Sequence, residues 1–85
     1  MKIKINKNIE YHIVGNEILV LVINDNSFYK LNETASQIFN LIISKKNYDS
    51  IIEEFSNLNN ISKEKAKIDI NIFIKESKKN NILLQ

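Results

Sequence analysis

Few side chains in this sequence are of kinds that do covalent, acid–base or metal chemistry. The single histidine, His12, lies in Ile9-Glu10-Tyr11-His12-Ile13-Val14, where alternation puts it with Glu10 on the polar face of a strand. A general base needs a partner that orients it, and the sequence offers His12 none. Glu53 and Glu54 are adjacent, so on a helix they point about 100° apart and make no working carboxylate pair. Asp25 falls within Asn24-Asp25-Asn26, where turn chemistry accounts for it. Gly15 is the only glycine, which excludes the Gly-rich loops that cradle phosphate. Cysteine is absent, and with it go thiolate nucleophiles, disulfides and Cys-based metal sites. No His, Asp or Glu spacing matches a metal site either. These residues predict a protein that is not an enzyme and carries no cofactor or metal, so function is to be sought in binding.

Composition narrows the kind of binding. With 85 residues and 44% apolar content, the chain suffices for one core, and a single domain over residues 1–85 is expected. No apolar run reaches the roughly 18 residues of a membrane span, and Met1-Lys2-Ile3-Lys4 does not begin a signal peptide, so a cytoplasmic location with no membrane partner is expected. The net charge is +2, and every basic residue is Lys. Arg is the usual bidentate reader of guanine edges and phosphates, so its absence counts against nucleic acid.

The elements that must position a binding surface change character near residue 31. Ile9–Val14 alternates with Ile9, Tyr11 and Ile13 on one face; Gly15-Asn16 fits a two-residue type II′ hairpin turn. Glu17–Ile23 is nearly continuously apolar, as in a central strand with both faces covered. Ser27–Leu31 follows the second turn as a short edge strand. From there the period is helical. Asn32 caps a helix carrying Ala35, Ile38, Phe39 and Ile42 to about Ser44, and Lys45-Lys46-Asn47 breaks it. A second helix from Tyr48 or Asp49 buries Ile51, Ile52 and Phe55, with Asn57–Asn60 as a loop. Ser62 caps a third helix to about Lys79, and Asn80-Asn81 supplies a left-handed exit before an apolar tail, Ile82-Leu83-Leu84, folded back on the core. The expected fold is α+β: a winged helix-turn-helix domain, with a three-stranded antiparallel sheet followed by three helices.

Two features of this arrangement call for a partner. On the third helix, Ala66, Ile70, Phe73, Ile74 and Ser77 form the core stripe, while Ile68 and Ile72 fall outside it among Lys65, Lys75 and Lys79. The edge strand Ser27-Phe28-Tyr29-Lys30-Leu31 is guarded only by Lys30, so its open backbone could accept an added strand.

The run Tyr29-Lys30-Leu31-Asn32-Glu33-Thr34-Ala35, followed by Ile38-Phe39 and Leu41-Ile42, resembles the "Y-x-L-N-E-T-A" segment of PqqD-like proteins. Ile51 and Phe55, then Ala66, Asp69-Ile70, Phe73-Ile74 and Ile82-Leu83, are similar to the rest of that family's pattern. Two departures stand out. Lys46-Asn47 and Asn80-Asn81 stand where glycines are usual, and Ser77 stands where a leucine is usual, which would loosen or open the end of the third helix. The resemblance implies a free-standing recognition element for ribosomally made, post-translationally modified peptides. The leader segment of a precursor peptide would lie antiparallel along the third strand, beside the third helix, for delivery to a separate enzyme. Lasso-type leader peptidase and cyclase, or a radical SAM enzyme, are the maturation partners it implies. Carried onto this sequence, the peptide-binding residues would be Ser27, Phe28, Tyr29 and Lys30 from the strand, and Lys67, Ile68, Asn71, Ile72 and Lys75 from the helix. A monomer or weak dimer is expected.

The rival reading is a winged-helix DNA-binding regulator, since Lys63, Lys65, Lys67, Lys75, Lys78 and Lys79 outnumber Glu64, Asp69 and Glu76 on the third helix. The missing Arg and the outward isoleucines count against it.

Overall fold

The computed structural model describes residues 3–44 and 47–85; the expected break at Lys45-Lys46 lies outside them. Three strands, β1 (Ile9–Val14), β2 (Glu17–Val22) and β3 (Ser27–Leu31), precede three helices, α1 (Glu33–Ile43), α2 (Tyr48–Asn59) and α3 (Lys63–Lys79). The strands form an antiparallel meander of order β1-β2-β3. Gly15 makes the first turn with φ +64°, as the tight hairpin requires.

Each helix starts on a side chain that satisfies an otherwise orphaned N–H. Asn32 Oδ1 accepts from Ala35 N, Asn47 Oδ1 from Ser50 N, and Ser62 Oγ from Lys65 N. α2 extends further than its sequence suggests, through Asn57 and Asn59. Asn60 ends it with a left-handed φ of 52°, and Asn59 is tied by its side-chain amide to the Phe55 carbonyl and Gln37 Oε1. Asn81 (φ 63°) provides the left-handed exit after α3.

The core lies between the sheet and the helices. Ile18, Val20 and Val22 from β2 meet Ile38, Phe39, Ile51, Phe55, Ile70 and Ile74, all buried. Among the described residues no layer covers the opposite face of β2, where Leu19 and Leu21 are half-buried, so β2 is covered on one face rather than both. β1 keeps the expected parity, yet Tyr11 and Ile13 remain exposed, because α1 packs mainly on β2 and β3 and reaches β1 through the Phe39 ring against Tyr11.

The tail folds back as expected, and it brings the other end of the chain with it. Ile82 and Leu83 are buried, Leu83 bridges to Ile5, and backbone bonds join Asn6 N–H to Ile82 and Leu84 N–H to Lys4. Asn81 ties this corner together. Its carbonyl accepts from the Asn6 side-chain amide, and its own amide donates to Asp25 Oδ2 in the turn before β3, both at 2.8 Å. α3 therefore ends beside the start of β3, and the two run antiparallel.

Candidate functional site

The ladder determines which backbone groups of β3 are free. The two-residue turn makes Val14 and Glu17 a hydrogen-bonded pair, and the Ile23 N–H to Asn8 carbonyl bond (2.9 Å) gives the same parity at the far end. Ile18, Val20 and Val22 thus direct their backbone toward β3, opposite Leu31, Tyr29 and Ser27. The N–H and C=O of Phe28 and Lys30 face the open edge.

One side chain is built into this ladder. The Ser36 hydroxyl donates to the Leu31 carbonyl (3.1 Å) and accepts the Ile18 N–H (3.0 Å), standing where those two groups would otherwise bond directly. Ser36 is buried, so α1 is joined to the end of β3 by a polar link that water does not reach.

Across from the edge lies α3. Between them is a cleft of about 590 Å³, open to solvent. Tyr29, Leu31, Ala35 and Ile38 form its sheet and α1 side; Ile72, Phe73 and Ser77 form the α3 side, and Ile82 of the tail contributes to its floor. The rim is polar. Lys65 and Asp69 are paired at 2.7 Å near the Asn32 end, and Glu76 and Asn80 line the end where β3 begins. The geometry suits an extended chain: open main-chain donors and acceptors on one side, and on the other a trough in which apolar side chains alternate with polar ones such as Thr34, Ser77 and Asn80.

This arrangement separates the residues expected from sequence. Tyr29, Lys30 and Ile72 line the cleft. Phe28 is not among the lining residues, and its ring, 73% exposed, lies on the outer face of the sheet beside Leu21. Lys30 likewise sends its side chain to the outer face, where it meets Glu17 at 3.2 Å. Ser27 is half-buried in the ladder. Lys67, Ile68, Asn71 and Lys75 are not among the lining residues, and Asn71 is engaged on the α2 side by the Tyr48 hydroxyl at 2.7 Å. Sequence reasoning did not assign to the cleft Lys65, Asp69 and Glu76, nor Phe73 and Ser77 of the core stripe. The Lys65–Asp69 spacing of four was the available signal, since such pairs mark one face.

Ser77, where a leucine is usual in the family pattern, does not open α3. The helix continues to Lys79, Ser77 is 2% exposed, and its carbonyl accepts from the N–H groups of Ile82 and Leu83. Its small side chain instead leaves room in the cleft. Among the described residues no group of three His, Asp or Glu side chains could hold a metal, and no helix is long and apolar enough to cross a membrane.

An α+β winged helix-turn-helix domain, with an open sheet edge facing its last helix across a cleft, is the class of protein that fold and site define. The chain belongs to the family described as Coenzyme PQQ synthesis protein D (PqqD), which it matches over residues 17–83. Among solved structures, one described as "TbiB1 in Complex with the TbiA(beta) Leader Peptide" shares the fold with a TM-score of 0.91. Its identity is 16%, over 95% of this chain and 94% of that one. Comparison with curated proteins finds no match.

Proposed function

We propose that this protein binds the leader segment of a ribosomally made precursor peptide as an added strand, antiparallel to β3. It then presents the rest of the precursor to a separate maturation enzyme, either a leader peptidase with its cyclase or a radical SAM enzyme. The observation that carries the reading is the open β3 edge, with the backbone of Phe28 and Lys30 unpaired by β2, beside the cleft between β3 and α3. Family membership and a fold shared with a protein solved as a leader-peptide complex support it. In this role the chain performs no reaction. Main-chain bonds give affinity and the trough gives selectivity, the division of labour seen wherever a peptide extends a sheet.

Antiparallel pairing would set the chain direction along the cleft. A peptide antiparallel to β3 enters beside Lys65 and Asp69 and leaves beside Glu76 and Asn80, so the segment to be modified emerges near the α3 terminus.

Fluorescence-anisotropy titration with leader peptides encoded beside this chain, and duplex DNA as the control, tests the reading. Saturable leader binding is expected. Lys30→Pro removes an edge N–H without breaking the ladder to β2, and should weaken binding by about tenfold. Absence of leader binding, or salt-sensitive DNA binding in its place, would overturn the proposal.

A further inference from the structure

The other edge of the sheet is also open. Among the described strands β1 is paired with β2 alone. By the parity established above, Glu10, His12 and Val14 bond to β2, while the N–H and C=O groups of Ile9, Tyr11 and Ile13 face outward. On the inner face Tyr11 is 41% and Ile13 65% exposed, although the Tyr11 ring meets Phe39 edge-on with centroids 5.3 Å apart. Edges are usually guarded by Lys or Pro, and Ile9–Val14 contains neither.

The chemistry of this strand reads the same from either end about Tyr11. Lay two copies antiparallel with Tyr11 opposite Tyr11. Ile9 then faces Ile13 of the second copy, and Glu10 faces His12 of the second copy, twice each by symmetry. The outward backbone groups of Ile9, Tyr11 and Ile13 meet their counterparts. The inner face becomes a continuous apolar row that covers the exposed Tyr11 and Ile13. On the outer face each carboxylate meets an imidazole, a favourable cross-strand pair. A shift of two residues, the smallest that keeps inner faces together, sets Glu10 against Glu10 or His12 against His12. Self-complementarity of this kind is what a two-fold interface requires.

We propose that β1 pairs with β1 of a second copy of this chain, centred on Tyr11, to give a symmetric dimer with one six-stranded sheet. The two β3 clefts lie at its outer ends, unobstructed and facing away from each other.

Sedimentation velocity on the full chain, from micromolar to millimolar concentration, tests the pairing. The wild type should dimerise reversibly. His12→Glu sets like charges opposite each other twice and should weaken the dimer by about tenfold. The exchange Glu10→His with His12→Glu restores the complementarity and should return affinity to within about threefold of wild type. Both side chains are exposed, so the fold is not at stake. A wild type that stays monomeric at about 1 mM overturns the proposal. So does indifference to His12→Glu, or an exchange that fails to rescue.

Discussion

The sheet has two open edges built from the same kinds of residues, and they differ in what stands beside them. β3 looks across a cleft at α3, with Ile82 in the floor and a Lys65–Asp69 pair at the rim. β1 has only a thin contact with α1, Tyr11 against Phe39, and its exposed groups are complementary to themselves. An edge supplies main-chain bonds that any extended chain can use, so it carries little discrimination alone. A neighbouring helix converts it into a site, because half of the incoming side chains must then fit a trough. Where there is no helix, discrimination comes from the strand's own alternation, and the best match is another copy.

The β3 side is tested most severely at Ser36, which ties the end of β3 to β2 and to α1. Ser36→Ala leaves the Ile18 N–H and the Leu31 carbonyl without their shared partner inside the protein. Urea denaturation should show a loss of about 2–4 kcal/mol, since two buried backbone groups lose their bonds. Leader affinity should fall with it, and amide exchange at Ile18, whose N–H loses its acceptor, should speed up.

A smaller effect separates the two outward isoleucines of α3. Ile72 is 57% exposed on the cleft lip, and Ile68 is 55% exposed but away from the lining. Ile72→Ser should weaken leader binding by about fivefold, the loss of partial burial of one aliphatic side chain. Ile68→Ser should change it by less than about twofold. Equal effects in a leader titration would mean that the peptide rides over the outer face of α3 rather than in the cleft.

The smallest effect is expected at the Glu17–Lys30 pair on the outer face, whose side chains are 39% and 68% exposed. Glu17→Gln should shift stability by less than about 0.5 kcal/mol in thermal unfolding, because solvent screens such pairs. A large shift would show that the outer face carries more of the sheet's stability than its exposure suggests.

Much of this was legible in sequence because local chemistry decides it. Asn32 and Ser62 announce their helices, Gly15-Asn16 its hairpin, and Asn81 its left-handed exit, each through a bond or a torsion within a few residues. What escaped depends on tertiary context. Asn57 to Asn59 looks like a loop until Gln37, on another helix, accepts from Asn59 and holds the last turn of α2. Exposure of Tyr11 and Ile13 follows from where α1 packs, which no strand pattern encodes. The outward face of α3 was visible as a whole, but which flank of it faces β3 depends on α2 taking the other, through Tyr48 and Asn71. Pairing of Ile5 with Leu83 joins segments too short and too distant to leave a periodic signal.

That last pairing bears on the order in which the molecule assembles. The strands meet through tight turns and each helix starts on its own cap, so these parts form from near neighbours in the chain. The Asn6–Asn81 contact instead spans 75 residues, and closing so long a loop is an entropic cost met only after the rest has compacted. Ile82, whose side chain contributes to the cleft floor, is held by that closure. With that closure broken, β3 would still offer an edge ready to pair but not the full trough that restricts what pairs with it, so selectivity rests on the two ends of the chain being joined.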